Sequence, residues 1–195
     1  MVRRPPTVPP TIRPPADVLP LGLPGAQAFV ETYYAARNDR KLLGAFYASN
    51  NPKYVMAGTP VSITVNGSVT RTPADYEALL DAQAPTGNAA SRVRYDVESF
   101  DAHVLNPTFR AACPQQLLDQ PEPRGRGAAT AAAAKASILV HVAGSVMYGA
   151  GKDATRGGFS ELFYLVPNWD ALGGTRGAPR GQKSWLILSQ NFRSL

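Results

Sequence analysis

The C-terminal segment 158–195 has the clearest pattern of apolar and polar positions in the chain. It contains two apolar strands, separated by a stretch rich in Gly, Pro and Arg. Side chains alternate along a strand, so each strand has two faces. In the first strand these are Phe159, Glu161, Phe163 and Leu165 against Ser160, Leu162, Tyr164 and Val166; in the second, Trp185 and Ile187 oppose Leu186, Leu188 and Phe192. Both faces of both strands carry bulky apolar groups, whereas a sheet buried on one side only shows polar residues on the other. We therefore expect a second protein to cover the outer face.

The segment Pro24–Tyr47 predicts helical structure. Its apolar residues recur near the spacing of one helix face. These residues are Phe29, Tyr33, Ala36, Leu43, Phe46 and Tyr47. Asn38-Asp39 interrupts the pattern with two residues that favour helix ends. The segment therefore predicts two helices rather than one.

Two local signals follow in the middle of the chain. Asn66-Gly67 is a strong hairpin signal because both residues tolerate a positive φ. It predicts a turn between the strands Val61–Val65 and Ser68–Arg71. The motif Thr72-Pro73-Ala74-Asp75 then begins a helix, with a capping hydroxyl, a proline in the first turn and a carboxylate near the positive end of the helix dipole. That helix is predicted to reach about Ala84.

Two long strands are predicted at Arg92–Leu105 and Ser137–Tyr148. The segment between them, 107–136, is too long for a hairpin loop and is interpreted as an insertion, with a short helix in its Ala-rich part. A second insertion, 167–182, separates the last two strands. Residues 1–24 hold many of the prolines and are predicted to form a flexible arm. Helices followed by a meander of strands indicate an α+β roll, so residues 25–195 form one domain with two insertions.

Composition limits the classes of function. The formal net charge is +6, so anionic partners are plausible. Cys113 is the only cysteine, which excludes an intramolecular disulfide and fits a reducing compartment. No apolar run has the length of a transmembrane helix, and no partner membrane is expected. No cysteine and histidine spacing fits a metal site, and no cofactor is expected.

Basic residues in the two insertions are the candidate nucleic-acid contacts. They are Arg124, Arg126, Lys135, Arg176, Arg180 and Lys183. Cations on loops neutralise phosphates without reading sequence. No aromatic residues alternate with them, so stacking on bases is not expected. The alternative interpretation, that these are solvated basic loops which serve solubility, has about equal weight.

Several motifs in order resemble the nuclear transport factor 2 family. The motifs are Phe29…Tyr33-Tyr34…Asp39…Leu43…Phe46-Tyr47, Asn66-Gly67, Asp101-Ala102-His103, Val140–Val146, Phe159–Leu165 and Asn191-Phe192-Arg193. Together they span about residues 25–195. The chain departs from the family pattern where Val65 replaces a tryptophan and where His103 and Glu161 replace glutamines. The resemblance implies a cone formed by a strongly curved, mostly antiparallel sheet with three helices packed on one face.

Within that family the chain most resembles the small subunits of fungal mRNA export receptors, the mRNA transport regulator type. The resemblance implies a non-enzymatic subunit that pairs with a larger export factor carrying its own related domain. It also implies binding of Phe-Gly nucleoporins, and transport of mRNA or pre-ribosomal ribonucleoprotein between nucleus and cytoplasm through nuclear pores. The expected partner contacts are Arg193, Phe192, Leu162, Tyr164, Leu186, Leu188, Asp101 and His103. Arg193 is expected to meet a carboxylate of the partner.

Two alternatives remain open at the level of sequence. The same fold houses lyases and isomerases, whose cavity would need a general base such as Asp101 or His103. His141 belongs to the same group of candidates, but an ordinary strand position at a partner face is the more frequent role for such residues. Phe29, Tyr33, Phe46 and Phe163 are expected to fill the cone and leave no room for a substrate. The second alternative is a homodimeric transport factor for protein import.

Overall fold

The computed structural model describes residues 19–82, 93–121, 128–149, 154–172 and 183–195. Helix α1 spans Leu19–Asn38 and begins inside the range that the sequence assigned to the arm. It ends at the predicted break, where Arg40 adopts a φ of 54° that no helix can continue. No described helix is long and apolar enough to cross a membrane.

The prediction of a second helix in this region is wrong. Two turns of 3-10 helix, Gly44–Phe46 and Ala48–Asn50, precede the short helix α2 at Pro52–Met56. The reason is a tertiary contact: one carboxylate oxygen of Glu77 accepts hydrogen bonds from the backbone N–H groups of Leu43 and Gly44. These donors are therefore satisfied by a side chain, and a continuous α-helix is not needed to bond them.

The hairpin and the helix after it are confirmed. Strands β1 (Ser62–Val65) and β2 (Ser68–Thr70) meet at Asn66-Gly67, where both residues have a positive φ. Helix α3 spans Pro73–Ala82. Its start is a reciprocal cap: Asp75 N–H donates to the Thr72 hydroxyl over 3.1 Å, and Thr72 N–H donates to the Asp75 carboxylate over 3.0 Å.

The described strands form one curved six-stranded sheet in the order β2-β1-β6-β5-β4-β3. The four long strands are β3 (Val93–Asn106), β4 (Ser137–Tyr148), β5 (Thr155–Pro167) and β6 (Trp185–Ser194). All neighbours are antiparallel except β1 and β6. The mostly antiparallel α+β fold is therefore confirmed. Short helices lie in the insertions: α4 (Gln115–Leu118), α5 (Ala128–Ala133) and α6 (Trp169–Leu172).

Aromatic side chains fill the concave side of the sheet, which α1 and α3 cover. Phe29, Tyr33, Phe46 and Phe163 are each at most 6% exposed, and their ring centroids lie 5.0–6.2 Å apart. Such contacts are the edge-to-face and offset arrangements that aromatic rings prefer. The expectation that these rings fill the cone is confirmed.

A second group of buried residues lies on the convex side, and we call it the outer cluster. It consists of Ala48, Tyr54, Phe109, Leu117, Val166, Trp169 and Leu186. Phe109 stacks on Trp169 with centroids 6.4 Å apart, and the Trp169 indole N–H donates to the backbone carbonyl of Ala111 over 2.9 Å. The first insertion thus folds back onto the outer end of β5 and β6 and covers it.

A bulge in β6 changes which side chains face inward. Tyr164 pairs with Ser189 but Leu165 pairs with Ile187, so Leu188 is the extra residue. One extra residue reverses the alternation beyond it. Phe192, predicted to lie on the face of Leu188, is instead 2% exposed in the inner core.

Candidate functional site

Strand register aligns the outer-face residues of β3 to β6 in three parallel rows. The rows are Asp101–His141–Leu162–Asn191, His103–Leu139–Tyr164–Ser189 and Ser99–Ala143–Ser160–Arg193. We call this surface the outer rows. Leu188 lies beside the second row at the bulge. Residues from four strands are therefore presented on one surface of the sheet.

The outer rows combine apolar and polar groups. Leu139, Leu162, Tyr164 and Leu188 are half-buried, while the charged and imidazole side chains around them are exposed. His141 Nε2 lies 2.8 Å from the Ser160 hydroxyl, and the Tyr164 hydroxyl donates to the Ser137 hydroxyl over 3.2 Å. An apolar centre with a polar rim is the usual composition of a protein interface.

The structure brings together six of the eight predicted partner contacts. Asp101, His103, Leu162, Tyr164, Leu188 and Arg193 share the outer face. Leu186 is also on the outer side, but it is 3% exposed because the outer cluster covers it. Phe192 lies inside the cone. Both side chains are therefore buried against residues of this chain. In this structure they are not exposed to a partner, which contradicts their prediction as partner contacts.

The predicted nucleic-acid contacts are only partly described. Arg124, Arg126, Arg176 and Arg180 lie outside the described residues. Lys135 borders the outer cluster near Cys113. Lys183 has its Nζ 4.2 Å above the centroid of the Phe46 ring, a cation–π contact. Direct contact with RNA stays a prediction.

The sequence did not lead us to predict the buried ion pair that lies inside the cone. Arg37 Nη1 donates to Glu161 Oε2 over 2.8 Å, and the two side chains are 1% and 0% exposed. Gln190 and the Tyr34 hydroxyl also donate to this carboxylate. A signal existed: Glu161 alternates with three apolar residues, and a carboxylate on a buried face requires a cation or several donors. Nothing local identified Arg37 as that cation.

Aromatic rings surround the Arg37 guanidinium. Its central carbon lies 3.6 Å from the centroid of Tyr95, 4.9 Å from Phe192 and 5.6 Å from Tyr76. Burial lowers the pKa of Arg37, but Tyr76 and Glu161 outweigh burial, so this pKa lies well above its ordinary value. The guanidinium therefore stays charged, and the rings together with Glu161 stabilise that charge.

The inner polar group combines a raised tyrosine pKa with a small adjacent cavity. Burial, and then the Glu161 charge, raise the pKa of the Tyr34 hydroxyl well above its ordinary value. The cavity that Arg37 borders, near Tyr95, measures about 90 Å³, whereas sites for small molecules usually measure about 300–1,000 Å³. Among the described residues, no group of His, Cys, Asp and Glu side chains is placed to hold a metal ion.

Comparisons with known proteins point to one group of structures. A chain of the complex described as "Sac3N peptide bound to Mex67:Mtr2" is 34% identical, with 89% of this chain and 98% of that chain covered and a TM-score of 0.75. The "Chaetomium thermophilum Mex67 NTF2-like domain complexed with Mtr2" gives the same identity, coverage and TM-score. The "Structure of Mtr2" is 33% identical, covering 88% and 97%, with a TM-score of 0.71. No protein-family model matches the chain, and no curated protein matches it in sequence.

Proposed function

The chain belongs to the Mtr2 family of nuclear transport factor 2-like proteins, and we propose that it is the small, non-catalytic subunit of a heterodimeric mRNA export receptor. The similarity to Mtr2 in complex with the Mex67 NTF2-like domain carries this proposal, because it extends over nearly the whole of that chain. The partner of the present chain is then a larger export factor with its own nuclear transport factor 2-like domain.

The outer rows support a subunit interface on the sheet. Leu139, Leu162 and Tyr164 form a half-buried apolar centre on the two adjacent strands β4 and β5, with exposed Asp101 and Arg193 on the flanking strands β3 and β6. Contiguous apolar surface of this kind usually marks a contact site on soluble proteins. Arg193 forms no ion pair within the described ranges, so its guanidinium is available to a partner carboxylate.

The absence of catalysis is part of the proposal, and the filled cone supports it. In this fold an enzyme would need an open cavity lined by an acid–base pair. Phe29, Tyr33 and Phe163 occupy that space, and Asp101, His103 and His141 lie on the opposite face of the sheet.

The cellular role that goes with this family is proposed with it. The receptor carries mRNA or pre-ribosomal particles through nuclear pores by binding Phe-Gly nucleoporins, and it shuttles between nucleus and cytoplasm. The net charge of +6 supports an additional contact with RNA through the basic residues of the insertions.

Co-purification with the nuclear transport factor 2-like domain of a Mex67-type partner tests the assembly. The wild-type chain should elute as a one-to-one complex. Leu162→Asp should abolish the complex, because it buries an unpaired carboxylate at the centre of the interface. Leu42→Asp is the matched control, since Leu42 is 82% exposed and lies away from the outer rows. A homodimer that excludes the partner, or a complex indifferent to Leu162→Asp, would falsify the proposal.

A further inference from the structure

A groove lies beside the outer cluster, between the first insertion and α6. Its apolar walls include Phe109, Cys113, Leu117 and Trp169. Leu118 stands at its margin and is 40% exposed. The outer rows do not contain these residues, so the groove is a separate surface.

The size of the groove selects the kind of group that fits. Its volume is about 180 Å³. An apolar cavity of about 150 Å³ is known to hold one benzene molecule, whereas small-molecule sites usually measure about 300–1,000 Å³. The groove therefore fits one bulky apolar side chain, such as that of Phe or Leu, and is too small for a cofactor.

The charged side chains in the described lining of the groove have one sign. Arg110 and Lys135 are the only ionisable side chains in its described lining apart from Cys113, and no carboxylate is present. Neither cation forms an ion pair with any residue that the structure describes. Both cations also lower the pKa of the Cys113 thiol, against the larger effect of burial, which raises it. An incoming segment with negative charge beside its apolar side chain complements this rim.

The same cations are a poor match for RNA. A base stacks on a free aromatic face, but Phe109 and Trp169 stack on each other and are only 9% and 1% exposed. Two cations alone also give weak phosphate binding. The observations favour a peptide.

We propose that this groove binds an acidic segment of a partner protein that inserts one bulky apolar side chain between Phe109, Cys113 and Leu117, with its carboxylates against Arg110 and Lys135. The role of the sheet as a subunit interface is not required, because the two surfaces differ. We assign the segment to a third protein, and the proposal therefore requires the groove to stay accessible when the large subunit is bound.

The test uses the full chain in complex with its large subunit and a short labelled peptide that has one Phe between two runs of Glu. Matched peptides replace the Phe by Ala or the Glu residues by Lys. Only the first peptide should bind, as measured by fluorescence anisotropy. Cys113→Leu fills the groove and should weaken binding by about tenfold or more. Lys135→Glu should weaken it by about threefold or more, and less so at high salt.

Two controls separate these effects from misfolding and from nonspecific charge. Lys41→Glu reverses an exposed lysine elsewhere and should leave peptide binding unchanged. Leu162→Asp should leave the peptide affinity of the free chain unchanged even where it prevents assembly, so that failure of the subunit proposal is distinguishable. Lys135 is only partly buried, so Lys135→Glu is informative even if Cys113→Leu does not fold.

Three results would overturn the proposal. The first is equal peptide affinity for the wild-type chain and both groove variants. The second is loss of oligouridine binding in those variants while peptide binding persists, which would assign the groove to RNA. The third is peptide binding to the free chain but not to the heterodimer, which would make the groove part of the subunit interface.

Discussion

The two faces of the sheet differ in what covers them. The inner face is closed by the protein's own helices so completely that even Glu161 is 0% exposed. The outer face is divided: its end, near Leu186, is covered by the first insertion, and its centre, near Leu162, is only half-buried. Apolar residues lie on both faces, so composition alone does not distinguish core from interface. What distinguishes core from interface is whether a segment that is distant in sequence covers the apolar residues.

The largest expected effect is on the inner face and appears at alkaline pH. Burial is the main cause that raises the pKa of Tyr33, Tyr34, Tyr47 and Tyr76 well above the ordinary value of 10.0. A raised folded-state pKa gives stability that is present below pH 10 and is lost as the pH rises, since only the unfolded chain ionises. At pH 11 each tyrosine then removes roughly 1.4 kcal/mol, so the four together remove about 6 kcal/mol.

The measurement is phenolate absorbance during an alkaline titration, recorded together with circular dichroism. Ionisation of these tyrosines should coincide with unfolding. Tyr76→Phe removes one of the four groups and should move the transition to higher pH. Ionisation of the four tyrosines in the folded protein would contradict their burial in the inner core.

The next largest effect comes from breaking the buried ion pair. Glu161→Leu leaves the Arg37 charge without its carboxylate inside the cone and should lower the free energy of unfolding by about 4 kcal/mol. Urea unfolding measures this change. The double variant Arg37→Leu with Glu161→Leu should lose less than the single variant, because no unpaired charge remains. Equal losses would show that packing, not charge, is what Glu161 contributes.

A comparison of two leucines sharpens the division of the outer face. Leu186→Ala, beneath the outer cluster, should lower the free energy of unfolding by about 3 kcal/mol without changing partner affinity. Leu162→Ala, in the outer rows, should cost under about 1 kcal/mol of stability but weaken the complex. Urea unfolding and isothermal titration calorimetry with the partner domain separate the two. If Leu186→Ala weakened the complex instead, the first insertion would have to move away from Leu186 when the partner binds.

The smallest effect concerns the rim of the outer rows. Arg193→Ala should weaken the heterodimer by about 2 kcal/mol if a partner carboxylate pairs with this guanidinium in a partly buried site. An ordinary surface pair would change the affinity by under about 1 kcal/mol. Arg71→Ala, an exposed arginine next to β2, is the control. An unchanged dissociation constant for Arg193→Ala rules out the predicted contact.

Much of the fold was predictable because its signals are local. The positive φ values at Asn66-Gly67 and the reciprocal cap at Thr72 and Asp75 depend only on neighbouring residues. The bounds of β4 at Ser137–Tyr148 follow from its clean alternation. Five of the eight predicted partner residues, Asp101, His103, Leu162, Tyr164 and Leu188, share one face for the same reason, since alternation and strand order place them there, whereas Arg193 joins them only because of the bulge at Leu188.

The sequence by itself determined the strands, the hairpin, the start of α3 and the presence of bulky apolar groups on both sides of the sheet. Only the tertiary structure decided which of those groups are core. The bulge at Leu188 turned Phe192 inward, Glu77 replaced a predicted helix with short turns, and Arg37 reached Glu161 from a helix 124 residues away in sequence. Each of these contacts joins distant segments, and its energy depends on burial that no local pattern encodes.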